Sequence, residues 1–451
     1  MKEVIETLNH VVWGVPTLFM ILGVGLYLSF QTKFVQIRLL PKALRGFISR
    51  FIKRNAGDSV SSYQALCTAL AATVGTGNIA GVAGAIAIGG PGAIFWMWIC
   101  ALLGMVTKFA EATLAVRYRQ HNSAGDYVGG PMYMIQIAMP GFGWLAVMYC
   151  FFGVVAAFGV GNATQINAVI DGINSVIEFL GGSSSTLLNL LLGLLLSVLI
   201  LGMLLGGARK IGTIAEKLVP YAAVGYLLLC SIVLVGRIQA IPGAFISIIY
   251  GAFNPQAVTG GVIGSVFTVL RIGASRGVFT NEAGMGTASI AHASSNVMHP
   301  VEQGLMGIVE VFIDTIVICT VTALTILSSG VPIIYGTDTG ILLATQAFSS
   351  VLGNWACIPI TIFLCCFAIA TVLGWGLYGI RCAQYLFGEN AWKGFVYLQA
   401  VIALISALLG TGVIWMLAET VNGLMAIPNL IVLAYLAPEL NRLTVQYVNR
   451  A

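Results

Sequence analysis

Charge is what this sequence lacks. Of its 451 residues only 8% are Asp, Glu, Lys or Arg, against roughly 25% in soluble domains. So few charges cannot cover the surface of a soluble fold of this length, which excludes a soluble enzyme or binding module. The nine cysteines form no CxxC pair and no Cys/His spacing suited to zinc. Nearly all lie inside apolar runs and read as small buried hydrophobes. No GxxxxGK[ST] phosphate loop occurs, so nothing points to ATP as an energy source. Low-complexity tracts and a polar segment large enough for a soluble domain are also missing. The net charge of +5 does not mark a nucleic-acid binder, because the basic residues stand at the edges of apolar runs.

What is present is apolar sequence, 58% of the chain. Runs of spanning length recur between short polar breaks. At ~20 apolar residues per crossing they give an all-α polytopic membrane protein with about eleven helices. These are expected near 11–30, 59–88, 92–117, 143–170, 185–206, 211–236, 259–293, 302–328, 356–380, 391–410 and 413–436. The first run, Val11 to Phe30, follows Lys2, Glu3 and Glu6 instead of a basic stretch and has no clear cleavage site. It reads as a retained helix and not a signal peptide.

Lys33, Arg38, Lys42, Arg45, Arg50, Lys53 and Arg54 crowd the first loop, which should therefore be cytoplasmic. Alternation then puts Arg117, Arg119, Arg209, Lys210, Lys217, Arg276, Arg381, Lys393, Arg442 and Arg450 on or near that side, against only Lys2 and Arg237 on the other. The N-terminus is expected outside and the C-terminus inside. Gly243–Val258 and Tyr335–Leu352 are external, moderately apolar, and expected to fold as short helices over the mouth.

Two stretches interrupt the apolar pattern. "AATVGTGNIAGVAGAIAIGGPG", from Ala71 to Gly92, holds G-x-G-x-x-A at Gly75, Gly77 and Ala80. That matches the dinucleotide fingerprint, which needs a strand before it and an acid about 20 residues on. Here helix-forming "QALCTALAAT" precedes it and "FWMWIC" follows, with no acid. The second stretch is Arg271 to Gly277, five spans later and so opposite in direction. Interrupted helices at corresponding positions of two halves point to an inverted-repeat transporter site. Glycine lets the backbone leave the helix, and freed N–H and C=O groups in a membrane must face protein or a polar cavity. An amino-acid carboxylate and a cation would satisfy them. Packing against neighbouring helices accounts for Gly81, Gly84, Gly89, Gly90 and Gly92, but poorly for Asn78 at mid-membrane. Gly273-Ala274-Ser275-Arg276-Gly277 also fits G-x-S-x-G, with His292, His299 and Asp314 downstream, but a nucleophile elbow needs a strand-to-helix turn. Nothing resembles a carbonyl filter or charged ring, as a channel would need.

The runs "TALAATVGTGNIAGVAGA", "GGPGAIFWMW", "GMVTKFAEATLAVRYR", "GGPMYMI", "FGVGNATQINAV", "RGVFTNEAGMGTASIAHA", "VFIDTIVICTVTAL", "TVLGW" and "AIPNL" strongly resemble the alanine or glycine:cation symporters, the sodium:alanine symporter family, over nearly the whole chain. The resemblance implies a LeuT-type fold, a five-plus-five inverted repeat after one extra N-terminal helix. On that division 1–58 is the N-terminal helix and basic loop, 59–236 and 259–436 the repeats, 237–258 an extracellular loop and 437–451 a cytoplasmic tail. It implies sodium-coupled uptake of alanine, with glycine and glutamine as further substrates to consider, through the inner membrane and with no enzymatic cofactor. By that likeness the substrate meets Gly75, Thr76, Gly77, Asn78, Gln165, Gly273 and Trp375. Sodium meets the carbonyls of Ala71 and Val74 and the hydroxyl of Thr371. Ala370 stands where the family usually has serine, and Gly376 and Ile380 depart from its usual Ser and Glu. Residues two apart do not share a helix face, so Asn167 reads as a helix–helix hydrogen bond and Gln165 as the site residue. Charges within spans need partners. Lys108 and Glu111 are spaced to pair with each other, Glu310 and Asp314 either meet Arg271 or Arg276 or one of the two is protonated, and Glu419 has no evident partner.

Overall fold

The structure is a computed structural model that describes residues 12–52, 60–337, 340–408 and 411–450. Lys2, Glu3, Glu6, Lys53, Arg54 and the side chains of Glu419 and Arg450 lie outside the described residues. Helices dominate. Among the described residues the only strands are Gln120–His121 and Tyr127–Val128, paired antiparallel. Glu389 ties this hairpin down by accepting from the N–H of Ser123 at 3.1 Å and from its hydroxyl. Those bonds hold the Glu389 carboxyl below the usual carboxylate range.

Among the described residues six helices combine the length and hydropathy to cross a membrane, at 92–117, 140–179, 186–204, 207–236, 300–328 and 354–387. Val15–Gln31 and Ala391–Ser406 are shorter apolar helices, and Thr411–Tyr435 bends by 59° into Ala437–Arg450. The Thr186–Leu204 helix shows why so apolar a sequence is needed. Leu187, Leu191, Leu194, Leu195 and Val198 all face outward, where only lipid would accept them.

The interior is organised around two discontinuous helices. The first is Ser62–Thr73 followed by Ala80–Gly89. It starts with a capping box, in which the Gln64 N–H donates to Ser61 Oγ and the Ser61 N–H to Gln64 Oε1, both at 3.1 Å. The second is Val266–Asn281 followed by Thr287–Ala293. The first is almost wholly buried, whereas the second is exposed at its start and buried from Gly277 onward apart from Phe279. Gly92–Arg117 and Pro300–Val311 pack beside them, so closely that a Cβ on Gly307 would stand 2.7 Å from the Lys108 carbonyl oxygen.

The basic first loop is partly a helix, Leu40–Ile52. Arg50 bonds Glu302 at 3.1 Å and the Lys42 ammonium lies 4.4 Å from the Tyr447 ring centre. The start of the 300–311 helix and the end of the C-terminal helix therefore share one face of the molecule with the basic segment. The two loops expected to form short helices do so, at Ile241–Phe253 and Gly340–Leu352.

Candidate functional site

The first break runs from Val74 to Ile79. Gly75 is extended (φ −136°, ψ −159°) and Thr76–Asn78 form one tight turn. The Gly75 N–H donates to Asn78 Oδ1 at 2.8 Å. It is thereby withdrawn from the helical bond that would have closed on the Ala71 carbonyl. The N–H groups of Thr76 and Gly77 open a helical turn, so they have no partner within it. Above them the Thr76 hydroxyl donates to Gln165 Oε1 at 3.2 Å, while Gln165 Nε2 donates to the Val160 carbonyl at 3.0 Å. That carbonyl is in the π-helical turn Gly159–Ala163, which interrupts the 143–179 helix beside the break.

The second break lies ten residues beyond the expected one. Arg271–Gly277 sits in the uninterrupted Val266–Asn281 helix. Gly273 is there for packing, since a Cβ on it would overlap the Ala93 carbonyl and stand 2.7 Å from Trp96 Cβ. Its own carbonyl belongs to a continuous helix, so the expected role in the break is corrected. Ser275 has no strand before it and is not a nucleophile elbow. The chain leaves the helix at Glu282-Ala283-Gly284-Met285-Gly286, where Glu282 (φ +54°), Gly284 (+93°) and Gly286 (+79°) are left-handed. Left-handed backbone costs a residue with a Cβ about 1–2 kcal/mol, so Glu282 is held there by its contacts. The Trp375 indole N–H donates to Glu282 Oε1 at 2.7 Å and the Thr287 hydroxyl to Oε2 at 2.6 Å. Glu111 holds the rest of the loop, accepting from the N–H groups of Gly284 (2.9 Å) and Gly286 (3.0 Å) and from Asn429 Nδ2 (2.8 Å).

The first break packs against the last turn of the helix before the second. A Cβ on Gly77 would meet the Thr280 methyl at 3.2 Å. The two breaks also share an anchor on the π-helical stretch Phe312–Cys319. Asn78 Nδ2 donates to Asp314 Oδ1 at 2.7 Å, Thr315 Oγ1 to Asp314 Oδ2 at 2.7 Å, and Asn281 Nδ2 to Thr315 Oγ1 at 3.1 Å. Each asparagine turns its Oδ1 to a backbone N–H at its own break, Asn78 to Gly75 and Asn281 to Ala283 (3.0 Å). One long helix, Cys357–Phe387, runs past both. Its Thr371 hydroxyl is buried with no hydrogen-bond partner and lies 2.6 Å from where a Gly75 Cβ would be. One turn later Trp375 reaches Glu282.

The expected charge pairs are rearranged. Lys108 bonds Glu310 at 2.9 Å instead of Glu111. The Glu310 and Asp314 carboxylates are occupied by other groups than Arg271 and Arg276: Lys108 and His292 Nε2 (3.0 Å) for Glu310, Asn78 and Thr315 for Asp314. His292 Nδ1 meets Gln303 Nε2 at 2.7 Å, and Ser62 Oγ donates to Gln303 Oε1 at 2.6 Å. One buried chain of polar contacts thus joins the first half of the first broken helix and the second half of the second to the packed 92–117 and 300–311 pair. Asn167 donates to the Ser406 carbonyl at 2.5 Å, as a helix–helix tie.

The structure brings Gly75, Thr76, Gly77, Asn78, Gln165, Thr371 and Trp375 of the expected site residues into one region. Sequence reasoning missed Glu282 and Asn281. The available signal was "NEAGMG", an acid and two spaced glycines inside an apolar run, which parallels "GTGN".

The model of the sodium:alanine symporter family matches residues 1–451. Over 440 residues the chain is 41% identical to the sodium/alanine symporter AgcS of Methanococcus maripaludis, covering 96% of this chain and 94% of that one. It is 35% identical over 442 residues to a protein of Bacillus subtilis described as a probable sodium/glutamine symporter, GlnT, covering 97% and 88%. Among solved structures, MhsT in complex with L-phenylalanine superposes with a TM-score of 0.57 at 14% identity, over 87% of this chain and 99% of that one. That likeness is one of fold, the LeuT type.

Proposed function

The chain belongs to the sodium:alanine symporter family, and on that premise we propose that the paired breaks at Val74–Ile79 and Glu282–Gly286 enclose the site of a small neutral amino acid and its sodium ion. The protein is a sodium-coupled amino-acid symporter, not an enzyme, with alanine as its expected substrate, glycine beside it, and glutamine as the alternative. The observation that carries the site reading is the juxtaposition itself. The first buried interruption packs on the last turn of the helix that leads into the second, and both hang from one Asp314–Thr315 pair.

The open N–H groups of Thr76 and Gly77 suit the substrate carboxylate, and Gln165 stands over them. The amide of Asn78 is spent on Gly75 and Asp314, so this residue holds the break in shape. Sodium is cargo here, and hard cations take oxygen ligands. The released Ala71 carbonyl, the Val74 carbonyl and the unpartnered Thr371 hydroxyl fit that chemistry. Eleven spans follow when each broken helix counts as one, divided into repeats at 59–236 and 259–436. The face shared by Lys42, Arg45, Arg50 and Tyr447 is cytoplasmic, with the N-terminus outside.

Transport proceeds by the broken helices moving against the remaining bundle. One sodium ion crossing ~100 mV supplies about 2.3 kcal/mol, and a tenfold gradient about 1.4 kcal/mol more. Together they sustain a several-hundred-fold alanine gradient. Uptake of radiolabelled alanine into proteoliposomes under imposed sodium, proton or lithium gradients tests the reading. Accumulation is expected with sodium and competition by glycine. Equal accumulation under a proton gradient alone would refute sodium coupling, and stronger competition by glutamine than by glycine would move the substrate to the alternative.

A further inference from the structure

Glu282 has no role in the account so far, yet it is the one residue with a side chain that adopts left-handed backbone at either break. It is 2% exposed. Its two oxygens take one bond each, from the Trp375 indole and the Thr287 hydroxyl. The other side of that indole is equally constrained. A Cβ on Gly161 would overlap Trp375 Cβ and stand 2.6 Å from its Cγ, so no larger residue fits beneath the ring. Gly161 and Trp375 each sit one helical turn from a residue at the first break, Gln165 and Thr371 respectively. The Cα atoms of Gly161 and Trp375 therefore lie about 6 Å along their helices from those of Gln165 and Thr371, which meet Thr76 and Gly75. A substrate with its carboxylate on Thr76 and Gly77 would have Trp375 one helical turn away.

We propose that Glu282 sets the size limit for the substrate side chain by locking the Trp375 indole flat against Gly161. Glu282 is a positioning residue, acting through Trp375 and not by touching substrate. The bond joins the second broken helix to the 357–387 helix, so the indole is fixed only while the break is formed as seen. A free indole can turn about its two side-chain bonds and vacate this space, and a longer side chain then fits. This inference rests on the first-break reading above.

The test is the ratio of affinities for alanine and valine, measured by binding to purified protein at saturating sodium. Wild type is expected to favour alanine strongly. Glu282→Ala should narrow the ratio by at least tenfold, mainly by improving valine. Glu282→Gln offers the same oxygen to the indole and should keep the wild-type ratio. In a Trp375→Phe background, which already lacks the donated N–H, Glu282→Ala should change the ratio no further. An unchanged ratio in Glu282→Ala, or equal effects of the Ala and Gln variants, overturns the proposal, the latter by showing that the charge and not the acceptor matters. If Glu282→Ala does not accumulate, an unchanged ratio in Trp375→Phe alone overturns it. Asn78→Ala separates the two readings. It should weaken alanine and valine alike, and normal binding there would remove the site itself, whereas its loss beside an unchanged Glu282→Ala ratio removes only this inference.

Discussion

The two breaks solve one problem by different chemistry. The first leaves its helix with no positive φ at all. Gly75 is extended, a conformation any residue adopts, and glycine is needed there because the Thr371 hydroxyl stands where a Cβ would be. The second leaves through three left-handed residues, two of them glycine. At the first break glycine makes room for another helix, whereas at the second it makes the turn. Both breaks then use an asparagine in the same way, with Oδ1 on the local backbone and Nδ2 toward the Asp314–Thr315 pair. The functional surface is therefore expected at the first break, and the second serves to hold shape.

Substitutions can break that contrast. The largest effect is expected from Gly77→Val. Its branched side chain would push into the Thr280 methyl and the Phe279 ring and cover the N–H groups offered to substrate. Alanine binding in detergent should fall ~100-fold or more, equivalent to about 2.8 kcal/mol, with the protein still inserted. Binding near wild type would detach Gly77 from the site.

Gly286→Ala comes next and should act on stability instead. Its φ of +79° and the 2.8 Å approach of a Cβ to Asn429 together cost about 2–3 kcal/mol. A clear drop in thermal midpoint is expected, with alanine affinity of the folded fraction changed much less. Lost affinity at unchanged stability would make the second break a binding surface like the first.

Asn78→Ala and Asn281→Ala compare the matched asparagines directly. A buried group that loses its partner costs ~1–3 kcal/mol, so Asn78→Ala should weaken alanine binding by about fivefold to 150-fold. Asn281→Ala should lower stability by a similar energy and affinity by less. Either variant combined with Asp314→Asn should be non-additive, because all three share one network. Additive losses would mean the two breaks are anchored separately.

Thr371→Ala should be the mildest. Ala370 supplies no second hydroxyl, so the sodium concentration for half-maximal uptake should rise about tenfold, while alanine affinity at saturating sodium stays put. Unchanged sodium dependence would leave the buried Thr371 hydroxyl without a function.

The first break was legible in the sequence because Asn78 has no business in an apolar run unless something bonds it. The second was misplaced for a physical reason. Gly273 and Gly277 mark places where helices pack closely, Gly284 and Gly286 mark left-handed backbone, and sequence spacing does not tell the two uses apart. Asn167 and Gln165 were separated correctly because helical geometry forbids them a common face. The partners of Lys108, Glu111 and Glu310 were not legible. They pair across helices at sequence separations near 200 residues, which local spacing does not encode.

The π-helical stretch Phe312–Cys319 fixes the length of this segment more tightly than its composition. Upstream, Glu310 is pinned to Lys108 and His292. Downstream, Thr320 accepts from the Trp98 indole and Thr322 meets the Tyr226 hydroxyl, both at 2.8 Å. The widened turn accommodates extra chain and thereby brings both sets of contacts into phase. Removing one residue anywhere in the stretch would rotate everything beyond it by about 100°, pulling Thr320 and Thr322 from their partners at once.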